Sequence, residues 1–358
     1  MSPDEPLITS PLTAISARGY NWLHRFAWLT LVATLLLICS GGMVTSKGVG
    51  LAVPDWPTTF GYNMFLFPVS KWVGGIFFEH THRLIASTVG LLTILLAMWI
   101  WRADDRRWLR NLGFGALGAV ILQGILGGLR VTLLKDEIGI FHAALAQAFF
   151  GIVVVITLAT SRLWAGLGPA ERAVHIRNFC RLVIGTTIVI YLQLGLGATM
   201  RHQHRDLSIP DFPLAYGTFI PDTSPTKLAQ INAWRDARAL SDVTSFQIWL
   251  QMAHRFGAAI ITVGVVSALF LARRAGANAG LLSRFADAWF LLLAGQVTLG
   301  AWVIWSNKAA DIATAHVAIG ATMFALGVAL SAISLRLART NHAIDPRLAR
   351  VSVEIPAS

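Results

Sequence analysis

The sequence predicts an all-α polytopic membrane protein, eight transmembrane helices arranged as two tandem four-helix bundles related by a pseudo-twofold axis along the membrane normal. Three observations predict it. Only 13% of the 358 residues are charged and 55% are hydrophobic, with mean hydropathy +0.61, whereas a soluble domain carries about 25% charged residues. Eight apolar stretches each approach the roughly 20 residues that a bilayer core requires. The motifs of the first four stretches recur in the last four. This composition excludes a soluble globule, a disordered chain and a disulfide scaffold.

The apolar stretches lie near 26–47, 84–101, 111–129, 138–161, 182–200, 256–272, 288–307 and 312–335. Residues 1–21 contain Asp4 and Glu5 and do not resemble a signal peptide, so the first stretch reads as an uncleaved helix. The net charge is +11. In a membrane protein such an excess belongs to cytoplasmic loops rather than to nucleic acid. The cluster Arg102, Arg106, Arg107 and Arg110 therefore places both termini on the cytoplasmic side. The long loops 48–83 and 201–255 then face outward. Cys39 and Cys180 sit in apolar sequence and read as small buried hydrophobes, not as a bridge.

The repeat is read from matched motifs. Pro54-Asp55-Trp56-Pro57 corresponds to Pro210-Asp211-Phe212-Pro213 at an offset of 156, and His82-Arg83 to His254-Arg255 at 172. Gln123 corresponds to Gln296 at 173, and His142 to His316 at 174. The jump from 156 to 172 marks one insertion in the second long loop. Four stretches per half is an even number, so both halves run the same way through the membrane. The expected division is an N-terminal bundle at 1–165 and a C-terminal bundle at 166–358.

Four of the ten histidines occupy matched places, His82, His142, His254 and His316, each at the outer start of an even-numbered stretch. Titratable groups at membrane depth are costly and usually functional, and imidazole ligates iron well. Two imidazoles facing each other across a bundle can hold a planar macrocycle between them. His82 with His142, and His254 with His316, thus form two candidate bis-histidine haem sites with the four side chains as axial iron ligands. A zinc site is disfavoured, because no Cys or carboxylate cluster accompanies them. His24, His175, His342, His202 and His204 are read as structural or solvated, and His80 is left unassigned.

One residue breaks the symmetry. Glu79 lies three residues before His82 on the same helix face, and its counterpart before His254 is Gln251. A glutamine keeps the size and hydrogen bonding of glutamate but cannot act as a base. Proton chemistry is therefore expected in the first half, unless Glu79 is only an interfacial residue paired with Arg83. Arg83 and Arg255 are candidates either for contact with a haem propionate or for snorkelling to the interface. Gly124–Gly128 permits close backbone approach, most simply of another helix.

Taken together, the four-plus-four repeat, Glu79-x-x-His82-Arg83, the paired His142 and His316 and the Pro-Asp-Trp-Pro turn resemble the haem A synthase family of cytochrome oxidase assembly, over roughly residues 22–338. The resemblance implies a haem-dependent oxidoreductase of the bacterial cytoplasmic (inner) membrane. It would oxidise the ring methyl of haem O to a formyl group by successive hydroxylations. His82 and His142 would hold the substrate haem O, with Glu79 as the catalytic carboxylate. His254 and His316 would hold a cofactor haem b that relays electrons. Membrane lipid surrounds such a protein, and a haem O synthase or a second copy of the chain are the partners it suggests. Some members carry a cysteine pair in the first outer loop, and loop 48–78 here has none, so the chain resembles a cysteine-free branch. The rival reading is a two-haem b-type cytochrome exchanging electrons with quinone, which explains the histidines but not the contrast between Glu79 and Gln251.

Overall fold

The computed structural model describes residues 17–167, 173–202, 207–274 and 279–342. Eight long helices dominate: α1 (Ala17–Ser46), α2 (Gly74–Ala103), α3 (Arg107–Leu133), α4 (Asp136–Ala159), α6 (Ala173–Arg201), α8 (Ser245–Ala272), α9 (Ala279–Trp305) and α10 (Ala310–His342). A single helical turn, α5 (Arg162–Ala165), lies between α4 and α6, and α7 (Pro225–Asp236) lies in the second long loop. Among the described residues, the only β pairing is two isolated bridges.

The eight long helices are long and apolar enough to cross a membrane. Their outward faces carry Leu29, Leu36, Leu91, Ile125, Leu192, Ile260 and Leu291, all exposed. That surface is tolerable because lipid, not water, is the solvent there. Helices also extend past the apolar stretches that the sequence marked. The second stretch was placed from 84, yet α2 starts at Gly74; the sixth was placed from 256, yet α8 starts at Ser245. The charged and polar residues in those first turns are satisfied inside the protein, so they do not break the helix. At about 1.5 Å per residue, the 30 residues of α2 span roughly 45 Å against a hydrocarbon core of about 30 Å.

Packing is sequential within each half. α1 packs on α2, α2 on α3, α3 on α4, and α4 returns to α1; α6, α8, α9 and α10 close in the same way. Each half has its own apolar core. In the first, Leu23, Leu96, Ile100, Leu109 and Ile156 are fully buried. In the second, Phe179, Val265, Leu282, Trp289 and Leu330 are, and the Trp289 indole N–H donates to the Met323 carbonyl at 2.9 Å. The halves meet where α1 touches α10, α4 touches α6, and α4 touches α10.

Both long loops emerge at one end of the bundle. α1 stops at Gly48, whose φ of +66° and the bond from Val49 N–H to the Val44 carbonyl at 3.1 Å form a Schellman-type termination. α8 opens on a capping box between Thr244 and Gln247. The two loops then repeat each other in detail. Asp55 accepts from the amides of Phe60 (2.8 Å) and Gly61 (2.9 Å); Asp211 accepts from those of Tyr216 (2.8 Å) and Gly217 (2.9 Å). In the second loop α7 adds a small core of its own, with Ile209, Ile231, Val243 and Ile248. Arg235 is fully buried beneath it and donates to the carbonyls of Ser241 (2.6 Å) and Leu207 (2.9 Å).

Candidate active site

The four matched histidines stand within the first three turns of α2, α4, α8 and α10, at the end that carries the long loops. Each rests against a glycine on the preceding long helix. A methyl group built at Gly41 of α1 would stand 3.0 Å from the His82 ring, and at Gly127 of α3, 3.4 Å from His142. At Gly197 of α6 it would stand 3.4 Å from His254, and at Gly300 of α9, 3.1 Å from His316. At Gly41 and Gly300 an added methyl would press on the imidazole, and at Gly127 and Gly197 it would just touch it. These glycines recur at offsets of 156 and 173, the same periods as the motifs, which is the signal that could have found them.

The histidines pair within each half. The His254 and His316 ring centroids are 6.5 Å apart. Iron held between two imidazoles needs two bonds of about 2.0–2.1 Å plus the half-widths of two five-membered rings, roughly 6–6.5 Å in all. In the first half, His82 and His142 rest on glycines at the equivalent places of α1 and α3. All four leave Nδ1 buried without a hydrogen-bond partner. Among the described residues no group of three or more His, Cys, Asp or Glu gathers as a metal site. Backbone contacts fix their helices: Gln123 donates to the His142 carbonyl at 2.9 Å, and Gln193, which the sequence did not single out, to that of His254 at 2.6 Å.

Glu79 is buried at 4% exposure and is paired. Its Oε2 accepts from the Val53 amide at 2.9 Å, and its Oε1 from Arg83 at 2.9 Å. The ion pair with Arg83 is therefore real, but it lies inside the protein rather than at a solvated interface. Gln251 holds the matching loop in the same way, accepting from the Ile209 amide at 2.9 Å and donating to its carbonyl at 3.0 Å. The only other carboxylate among the described residues that is buried to this degree is Asp104, between α2 and α3 at the opposite end. There burial raises its carboxyl, and Arg106 more than offsets this and holds it low.

The two arginines after the histidines bond to loop carbonyls, and the Arg255 Nε is left buried without a partner. Arg83 donates to the carbonyls of Asp55 (2.7 Å), Thr58 (3.0 Å) and Val53 (2.9 Å) as well as to Glu79. Arg255 donates to those of Asp211 (2.6 Å) and Leu214 (2.8 Å). Both clamp the Pro-Asp-aromatic-Pro loop onto its helix. The clamp places Trp56 against Gly128 of α3, where an added methyl would stand 2.5 Å from the indole, next to the glycine that seats His142. Burial raises the Asp55 carboxyl, and the donors from Gly61, Thr58 and Phe60 outweigh it, so its pKa lies below the usual carboxylate range.

The remaining histidines have other work. His80 is fully buried, 3.2 Å from the Thr59 hydroxyl, with its ring 4.7 Å from Trp72 and 5.1 Å from Phe67, so it anchors the first long loop. His24 lies 3.1 Å from the Thr157 carbonyl. His202 is buried against Gly139 of α4, which is not the solvated position expected for it. His204 and the side chains of His175 and His342 lie outside the described residues. Cys39 and Cys180 are free thiols.

Comparison with known proteins agrees with this geometry. The family model of COX15-CtaA, cytochrome oxidase assembly protein, matches residues 24–328. The chain is 25% identical over 333 residues to a heme A synthase of Geobacillus kaustophilus, covering 90% of this chain and 93% of that one. It is 28% identical to one of Shouchella clausii over 70% of this chain and 83% of that one, and 23% identical to one of Alkalihalophilus pseudofirmus over 89% and 99%. With the loop clamps, the histidine pairs and most of every long helix inside the matched span, this chain belongs to the COX15-CtaA family of cytochrome oxidase assembly proteins.

Proposed function

We propose that the chain is a haem A synthase, an oxidoreductase that converts the ring methyl of haem O to a formyl group in the first bundle, with electrons relayed through a haem b in the second. The observation that carries this reading is two histidine pairs of which only one has a buried carboxylate beside it. The names of the relatives support the same substrate. Counted with water as the oxygen donor, the conversion withdraws four electrons and four protons from the methyl carbon and its reactant.

His82 and His142, on two helices, would hold the substrate haem, and His254 and His316 would hold the second porphyrin. When bound, that haem b supplies one-electron transfer. Each Glu79 oxygen holds one donor, and a carboxylate offers about four lone-pair sites. Glu79 therefore keeps capacity to take up a proton, or to stabilise positive charge developing at the oxidised carbon, in a site of low dielectric. Gln251 keeps only the loop-holding half of this role.

The same reading divides the chain at 1–165 and 166–358 and relates the bundles by a pseudo-twofold axis. It is supported by the recurrence of the Asp55 and Asp211 turns and of the glycine seats. It places both termini in the cytoplasm of a bacterial cell and the haem sites toward the outer face of the inner membrane, on the strength of the arginine distribution. A haem O synthase, or a second copy of the chain, is the partner that would deliver or share the substrate.

Extraction and chromatography of pigments from the purified protein test the proposal. Haem O and haem A together with haem b support it. Haem b alone points to the electron-carrying cytochrome instead.

A further inference from the structure

Arg130 is the cation of the first site that has no assigned work. It stands in the last turn of α3, three residues past Gly127, where an added methyl would meet the His142 ring at 3.4 Å. It is half-buried, and its guanidinium makes no hydrogen bond or ion pair with any described residue. Gly50 makes room for it: a methyl group there would stand 2.8 Å from Nη1, 3.0 Å from Nη2 and 3.2 Å from Cζ. A half-buried guanidinium with no partner among the described residues is open to an anion, which its fork of N–H donors matches. The other arginines near the histidines are committed. Arg83 and Arg255 clamp loop carbonyls, and Arg201 donates to the Gly42 carbonyl (2.7 Å) and the Ser46 hydroxyl (2.6 Å) of α1.

The asymmetry sharpens the point. At the offset of 173 that relates α3 to α9, Arg130 becomes Val303. The unpaired cation thus belongs to the Glu79 half alone. A guanidinium fork matches a carboxylate in a planar, two-bond contact, and a haem carries its two carboxylates on one edge of the ring.

We propose that Arg130 anchors a carboxylate of the porphyrin held between His82 and His142, and so fixes the in-plane rotation that presents one particular methyl to Glu79. This rests on the assignment of the first site to the substrate. Two axial ligands alone leave a macrocycle free to rotate about the iron axis; a cation at the rim removes that freedom. Arg130 then determines which methyl reacts without itself taking part in the oxidation.

The test uses the full chain in detergent, titrated with iron protoporphyrin IX or with its dimethyl ester, in which both carboxylates are blocked. Binding is read from the bis-histidine absorption spectrum. The unmodified protein should prefer the free acid at the first site by about ten- to a hundredfold, the worth of a charge-assisted hydrogen bond. Arg130→Gln should lose that preference while retaining the haem of the second bundle, and Arg130→Lys should keep part of it. His82→Ala should abolish first-site binding of both porphyrins; if it does not, the placement of the site is wrong. If His82→Ala abolishes binding but Arg130→Gln still prefers the free acid as strongly as the parent, the anchor is refuted. Should Arg130→Gln fail to accumulate, the parent protein decides alone: equal affinity for acid and ester overturns the proposal, and a preference that falls in Arg130→Lys sustains it.

Discussion

Replacing Glu79 with glutamine separates the chemical role of the carboxylate from its structural one. Two hydrogen bonds of 2.9 Å are at stake, one from the Val53 amide and one from Arg83. Glutamine has one acceptor oxygen, so it can keep the Val53 bond as a neutral one, at a loss of about 1 kcal/mol, and gives up the charge-assisted Arg83 bond, at a loss of about 2 kcal/mol, or about 3 kcal/mol in total. That is at the lower edge of the 3–5 kcal/mol typical when a buried charge is left alone. Arg83 is not left alone, since it keeps three backbone carbonyls. Gln251 shows that an amide in this position can hold the equivalent loop through the Ile209 backbone. The variant should therefore fold and retain both pigments. If Glu79 serves as acid, base or electrostatic stabiliser, oxidation should slow by about a hundredfold or more. The assay is pigment extraction from cells and from purified protein, followed by chromatography. Haem O should accumulate and haem A fall to a trace. Haem A at the parental level would refute a chemical role for Glu79, and loss of all pigment with the protein otherwise intact would show that the carboxylate matters only as a loop clamp.

Other perturbations follow from the same geometry. His254→Ala or His316→Ala should cost the second-bundle haem, seen as a lower haem-to-protein ratio; an unchanged ratio would remove these residues from the ligand set. Gly128→Ala puts a methyl 2.5 Å from the Trp56 indole and should expel that ring, shifting the tryptophan emission to longer wavelength, with Trp56→Phe as the blank; emission identical to the parent would show that the loop does not rest there. Asp55 has a folded pKa below its unfolded one, so its contribution to loop order is full above about pH 3.9 and disappears as the pH falls through the lowered value. The Trp56 emission should report an acid transition in that region, and Asp55→Asn should show the disordered signal already at neutral pH; an acid transition that survives in Asp55→Asn would assign it to another group.

Much of the molecule can be read from its residues alone. Eight apolar runs in a chain with few charges admit only membrane helices, because lipid offers no partner for an exposed backbone group. The matched positions of His82, His142, His254 and His316 marked the four side chains proposed as iron ligands, and the single change from Glu79 to Gln251 marked the half to which the proposed chemistry is assigned. Helix starts were less legible. Glu79 and Arg83 looked like the boundary of an apolar run, and their bonds to each other and to the first long loop satisfy them inside α2, which begins five residues before Glu79, at Gly74.

What the linear order could not convey is which groups each charged side chain meets. Arg83 and Arg255 were open to a propionate or to the interface, and they proved to be spent on loop carbonyls. The glycines behind the histidines repeat as regularly as the histidines do, but their purpose exists only where two helices cross. Membrane insertion and helical periodicity are local properties of a segment, so the residues state them directly. The partner of an arginine or carboxylate inside the protein is set by distant segments, 30 residues away between Val53 and Arg83 and 159 between Gly42 and Arg201, and the path of the folded chain decides it.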